Sequence, residues 1–370
     1  MLSKKIKNKN GITLVSLVIT IIILLILAGI TIYSLTNTGL FGKAKEAKQA
    51  SQNAEKEQKQ ILSEYKTELD QYNENTLVYK VNSGTIEIGD YVKYTPDTVS
   101  NTDEKYKSLI SNLGTYSGSS ANTISTIKQD GLEWRILDVK DGHVRIIGST
   151  PTNSKIEFKS FNGYNNAVKL LDDACNILYY NSKLVTNVQN LKVEDILDYV
   201  VNKPVLDNTE YKPTKIYYPN IFKQEENNIT DAKNNQTMLK QSEQNEFETD
   251  KSFAETKTLK NTNWNKWVNL DSFTNKKYYE LFISKNLQDY DEAYWLSSRC
   301  TYASSNGACF NLRCVKTGLI TYNDLYATSG NSAFSSFSFR PVITLDSGVK
   351  IDVQNSGDGS SVEKAYVIKE

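Results

Sequence analysis

The chemistry available to this 370-residue chain is narrow: four cysteines (Cys175, Cys300, Cys309, Cys314) and one histidine, His143. A single histidine argues against a His-based metal site and against any His-dependent triad. Cys309 and Cys314 stand five apart, and strand alternation places such residues on opposite faces, where they share no ion. Asp352, Asp358 and Glu363 lack the regular spacing of a calcium loop. The sequence therefore offers no catalytic residue, no metal site and no cofactor motif. Four cysteines are also too few for a disulfide scaffold. If the segments around Cys300 and Cys309 form a hairpin about Ala303–Asn306, the two cysteines face each other and are candidates for a disulfide. The alternative reading makes Cys309 and Cys314 small core residues. Arg299 and Arg313 are candidate ligand contacts, with Trp295 beside them; in the alternative, Trp295 and Phe310 are core.

The elements that carry these residues are legible in part. Leu132–Gly148 reads as a β-hairpin about Asp141-Gly142, with Val139 opposite Val144, Leu137 opposite Ile146 and Asp138 opposite Arg145. His143 then falls at the turn and takes no chemical role. Thr85–Tyr94 reads as strand, turn, strand. Tyr164–Leu178 is an amphipathic helix with Val168, Leu171, Cys175 and Leu178 inward. Val193–Val201 is a shorter helix. Residues 222–262 are almost wholly polar and read as a long surface insertion. Tyr294–Cys300, Gly307–Val315 and Phe337–Leu345 are β-patterned.

The charge balance is even, with 43 basic and 43 acidic residues, so no basic field points to nucleic acid. One asymmetry stands out. Lys4, Lys5, Lys7 and Lys9 are followed by no charge until Lys43. Ile12–Tyr33 holds 22 uncharged, mostly apolar residues. As a helix it would be roughly 33 Å long, enough for a bilayer core of roughly 30 Å. The positive-inside rule then places residues 1–11 in the cytoplasm and the bulk of the chain outside the cell. A secretory signal peptide is the rival, but its apolar region is shorter and ends in a small-residue cleavage site that Tyr33–Asn37 does not supply. Residues 43–72 form a second helical stretch, either a solvated stalk or a spine packed along its narrow apolar stripe.

The stretch Lys9-Asn10-Gly11-Ile12-Thr13-Leu14-Val15-Ser16-Leu17 resembles a type IV prepilin junction, and Gly39-Leu40-Phe41-Gly42-Lys43-Ala44 extends the likeness to the pilin-like proteins of clostridia and their relatives. The resemblance implies cleavage by a prepilin peptidase between Gly11 and Ile12, methylation of Ile12, and association with other pilin-like subunits. The family usually has Glu at the fifth mature position, where this chain has Ser16.

The phrases GLEWRILDV, YWLSSR and FRPVITL resemble a domain of clostridial surface proteins associated with the C-type-lectin-like fold of formylglycine-generating enzymes. That likeness implies an α+β head with antiparallel strands and irregular loops, but neither lectin activity nor catalysis. The expected organisation is a basic leader (1–11), a transmembrane pilin-like helix (12–36, with lipid contact over 12–33), a stalk helix (37–77), and an extracellular head (78–370) interrupted by the insertion at 222–262. The expected function is a membrane-anchored surface protein, or minor pilin, whose head binds a carbohydrate or protein. The alternative is a structural pseudopilin of a type II secretion-like or DNA-uptake machine. An enzyme of the formylglycine-generating type is the least favoured reading.

Overall fold

The computed structural model describes residues 18–27, 47–62, 74–119, 127–204, 210–212, 217–219, 241–248, 253–254, 259–283 and 293–369. The chain divides into two units, Met1–Glu74 and Asn75–Glu370. In the first unit, α1 spans 18–27 and α2 spans 47–62. Among the described residues there is no long N-terminal helix. The ten described residues of α1 extend about 15 Å, half a bilayer core. Among the described residues no helix is long and apolar enough to cross a membrane. This corrects the expectation of a single membrane-spanning helix. The cell-membrane location and extracellular head that rested on it fall with it. Gly11, Ile12 and Ser16 lie outside the described residues.

The second unit opens with α3 (Leu77–Asn82), β1 (Tyr91–Lys93) and α4 (Glu104–Tyr116). Next come β2 (Trp134–Lys140), β3 (His143–Gly148), β4 (Lys155–Lys159), the long α5 (Ser160–Tyr179), β5 (Val185–Asn190) and α6 (Val193–Leu197). Short strands follow: β6 (Glu210–Tyr211), β7 (Tyr217–Tyr218), β8 (Phe253–Ala254), β9 (Leu259–Lys260) and β10 (Lys266–Trp267), and after them α7 (Lys276–Phe282). The C-terminal part supplies β11 (Tyr294–Ser304), β12 (Gly307–Lys316), β13 (Leu319–Ala327), β14 (Phe334–Ser338), β15 (Pro341–Leu345), β16 (Lys350–Ile351) and β17 (Tyr366–Lys369).

A seven-stranded sheet runs β16-β17-β1-β2-β3-β15-β5, and a six-stranded sheet runs β10-β13-β12-β11-β14-β4. Both are mixed, through the parallel pairs β1/β17 and β11/β14. α5 packs against strands of both sheets. Its inward residues Val168, Leu171, Cys175 and Leu178 are completely buried, as the 3.6-residue period requires. A second apolar cluster joins Leu137, Ile147 and Val342 of the first sheet to Leu296, Val315 and Ile320 of the second, with Ile196 and Phe282 from α6 and α7.

The β2–β3 hairpin turns at Asp141 (φ 51°) and Gly142 (φ 78°), both left-handed as a two-residue turn requires. Val139 faces Val144 and Asp138 faces Arg145. Leu137, however, does not face Ile146. A bulge between Ile136 and Asp138 puts Ile136 there and sends Leu137 into the other core cluster. In Thr85–Tyr94 only Tyr91–Lys93 is strand. Gly118 (φ +76°) shows how tightly α4 meets α5, since an added Cβ would lie 1.9 Å from Lys159 O.

The Asp138–Arg145 pair is the centre of a buried ion cluster. Arg145 Nε donates to Asp138 Oδ1 at 2.7 Å, and its terminal nitrogens reach Asp138 and Asp195. Tyr199 donates its hydroxyl to Asp138 as well. Asp195 also accepts from Lys192 N at 3.1 Å, so one carboxylate caps α6 and fastens it to the hairpin. Removing the cation strands two buried carboxylates. Arg145→Met is expected to lose about 3–5 kcal/mol of stability in urea unfolding. Lys277→Ala, which breaks an exposed pair with Glu87, leaves the midpoint nearly unchanged.

Candidate binding site

The centre of β11 carries polar residues in an otherwise apolar strand. Ser297, Ser298, Arg299 and Thr301 are all at most 1 % exposed. A bulge between Trp295 and Arg299 breaks the pairing with β12 here, which frees β11 to bond to other segments. Ser297 N donates to Leu191 O at 3.0 Å, and Arg299 N donates to Gln241 O at 3.1 Å. Farther along, Thr262 N donates to Thr301 O at 2.9 Å. Gln241 and Thr262, both of the polar insertion, thus lie along β11.

Two carboxylates flank the paired serines. Asp172 on α5 accepts from Ser297 Oγ at 2.9 Å and from Asn190 N at 3.0 Å. Burial pushes it up to about 6, against the opposing pull of Lys192. Glu194 on α6 accepts from Ser242 Oγ at 2.8 and 2.9 Å, and Ser242 and Ser298 hydroxyls lie 2.8 Å apart. Burial pushes Glu194 up to about 7, with Arg313 acting in the opposite sense.

The two candidate ligand arginines are inside the protein, each 1 % exposed. Arg313 donates to Thr262 O at 2.6 Å and Trp264 O at 3.4 Å, and its guanidinium lies 4.1 Å over the Trp264 ring. Arg299 donates to Asn165 O at 3.4 Å and Glu243 O at 3.3 Å. Neither reaches solvent, so neither contacts a ligand from the surface. They fasten Glu243, Thr262 and Trp264 to the sheet. Trp295 and Phe310 are fully buried core residues.

The cysteines are four free thiols. Cys300 faces Asn311 and Cys309 faces Tyr302, because the β11–β12 turn is the two-residue Ser305-Asn306. The register differs by two residues from the one that would oppose Cys300 and Cys309. This corrects the disulfide expectation. Diagonal neighbours stand about 7–8 Å apart, beyond the usual span of a bridge. Burial raises all four thiols, Cys314 to about 12, so they are protonated and weakly nucleophilic. His143 pairs with Lys140, and its Nδ1 lies 2.9 Å from Leu345 O. Among the described residues no three His, Cys, Asp or Glu side chains group as a metal site.

The insertion also departs from the reading of it as an open surface segment. Residues 220–240 lie outside the described residues, but Gln241 and Ser242 are each 2 % exposed. Gln244 Nε2 donates to Asn166 Oδ1 at 3.1 Å, and Glu248 N donates to the same atom at 2.8 Å. Phe247 stacks on Tyr116 at 4.4 Å. Sequence reasoning missed Glu194, Asp172 and Ser242. The signal for them was the tandem Ser297-Ser298 within YWLSSRC, since two buried hydroxyls in a central strand demand partners.

Comparisons with protein families, with curated proteins and with solved structures find no match.

Glu194 sets a pH dependence. Its ordinary value is about 4.5, so between that pH and about 7 the folded chain holds a proton that the unfolded chain has released. Stability is then fully present below the lower value and declines as pH rises through the window. Glu194→Gln is expected to flatten that decline and to exceed the wild type at pH 8 by up to about 3 kcal/mol. Urea titrations at several pH values measure it.

Proposed function

We propose that this chain is a pilin-like subunit that associates through its N-terminal helix and presents Asn75–Glu370 as an interaction domain. The observation that carries the reading is α1. Apart from Thr20 its described residues are all apolar, and Val18, Ile19, Ile21, Ile22, Leu24, Leu25 and Leu27 are 40–67 % exposed. Such a helix is apolar on every face, and water is a poor neighbour for all of them. Like helices from neighbouring subunits can surround it, which is the arrangement that the resemblance of residues 9–17 to a prepilin junction implies.

The arrangement of the second unit suits presentation. Its chain enters where Ile351 N donates to Asn75 O, with Thr76 bridged to Lys350. It leaves at β17, where Lys369 faces Lys350. Entry and exit therefore share one edge of the seven-stranded sheet. Exposed aromatic residues are spread over and beside the other sheet: Trp267 on β10, Tyr302 on β11, Phe334 on β14, and Tyr217, whose N–H donates to Thr328 O. Tyrosine and tryptophan faces give large contact area at low entropic cost, which favours binding.

Two measurements on the full chain test this reading. Mass spectrometry of protein recovered from the producing cells is expected to show a chain beginning at methylated Ile12. A photo-cross-linker at position 25 is expected to yield a ladder of covalent multimers. A monomer that retains residues 1–11 and gives no ladder overturns the proposal.

A further inference from the structure

Glu194 and Ser242 make a contact whose strength depends on a proton. Ser242 Oγ lies 2.8 and 2.9 Å from the two carboxyl oxygens of Glu194, and 2.8 Å from Ser298 Oγ. Ser298 Oγ also accepts from Val193 N at 3.0 Å, which ties it to the start of α6. A hydroxyl carries one hydrogen, so Ser242 serves only one of these oxygens at a time. A neutral carboxyl brings a hydrogen of its own. It can donate to Ser242 through one oxygen and accept from it through the other, as the two near-equal distances allow. An ionised carboxylate only accepts, and one direction of that contact is lost.

The surroundings favour the neutral form. Burial is the largest influence on Glu194, and Asp195 on the same helix adds to it. Arg313 on β12 draws the other way, but its guanidinium is held by Thr262 O and Trp264 O. Lys192, just before α6, turns to Asp172 on α5 at 3.6 Å. Arg299 on β11 donates to Asn165 O and Glu243 O. Glu243, beside Ser242 in the chain, is exposed.

Ser242 belongs to a stretch with two points of attachment. At the far end, Asn166 on α5 accepts from Glu248 N and donates to Glu248 O at 3.0 Å, and Lys169 N donates to Gln244 Oε1 at 3.2 Å. Phe247 lies there between the Tyr116 ring and Lys169 Nζ, which is 4.9 Å from its centre. At the near end the attachments are Gln241 O, which accepts from Arg299 N, and the Ser242 hydroxyl. We propose that Glu194 is a proton-operated latch on residues 241–248: neutral, it holds the near end along β11, and ionised, it lets that end lift and uncovers the Arg299 N–H and the Ser298 hydroxyl. The latch rests on contacts within Asn75–Glu370 and not on the subunit reading.

Amide exchange of the full chain tests it, read by mass spectrometry as protection factors, which divide out the intrinsic effect of pH on exchange. The closed stretch holds the Glu194 proton more tightly than the open one, so opening becomes easier as pH rises. Between about pH 6 and about pH 8 the protection of 241–248 is expected to fall roughly tenfold. It is also expected to lie below that of α5 at both pH values, because the stretch lifts while the core stays folded. Glu194→Gln, a neutral side chain that still donates and accepts, is expected to abolish the fall. No fall in the wild type, an equal fall in Glu194→Gln, or protection of 241–248 equal to that of α5 overturns the latch. Ser242→Ala keeps Glu194 and removes the hydroxyl it holds. Low protection of 241–248 already at about pH 6 is expected in that variant, and wild-type protection there overturns the proposal as well. None of these outcomes bears on the N-terminal processing or the cross-linking ladder.

Discussion

The polar junction between the two sheets lies where Arg340 meets Asn190. Arg340 stands between β14 of one sheet and β15 of the other. Its guanidinium donates to Gly148 O and Ser149 O at 3.0 Å, and to Phe282 O at 3.3 Å. It thus takes up carbonyls where β3 ends and where α7 ends. Its own N–H donates to Asn190 Oδ1 at 2.7 Å. The Asn190 amide in turn donates to Trp295 O at 3.0 Å and to Ser297 Oγ at 3.3 Å on β11. One cation and one amide therefore satisfy backbone groups from both sheets at the place where the ladders must stop. Unpaired, each such carbonyl would cost on the order of 1–3 kcal/mol.

The same device recurs. Arg299, Arg313 and Arg340 are all at most 1 % exposed, and the hydrogen bonds described for them run to backbone carbonyls. Aromatic faces add to this, with Arg340 lying 5.4 Å from the Tyr294 ring centre and Arg313 4.1 Å from that of Trp264. A planar fork with five donors suits this task, and lysine does not. Burial lowers the pKa of Arg313 and Arg340 from the ordinary arginine value, but arginine starts so high that the charge persists. Irregular segments cross the core of this protein because arginine closes their open carbonyls.

The parts of the fold legible in the sequence are those set by local period and turn chemistry. Asp141-Gly142 encodes the hairpin, and the spacing of Val168, Leu171, Cys175 and Leu178 encodes the buried face of α5. GLEWRILDV, YWLSSR and FRPVITL lie in or beside β2, β11 and β15, three strands at the heart of the two sheets. What was illegible depends on non-local partners. The bulge at Leu137 arises from cross-strand packing, not from its own residue type. The Cys300 register depends on a turn shifted by one residue at each side. Arg299 and Arg313 read as exposed contacts because nothing near them in sequence reveals the insertion that covers them. The span of Ile12–Tyr33 was read from composition alone, whereas its helix is described over only 18–27.

The insertion stretch 241–248 differs from the rest of the core in how it is held. α5 is fixed by deep apolar burial, which is lost in full if the helix is lifted away. The 241–248 stretch is fixed by Ser242, Gln244 and the Asn166 amide, with Phe247 on Tyr116 as its apolar anchor. Hydrogen bonds to protein exchange for hydrogen bonds to water at a small net cost, about 1 kcal/mol each. Separating this stretch from β11 therefore costs far less than separating any helix of the core. Ionisation of Glu194 lowers that cost again, because a hydrated carboxylate regains the solvation that burial withholds. The 241–248 stretch is thus held against the core chiefly by polar contacts, and α5 by apolar ones.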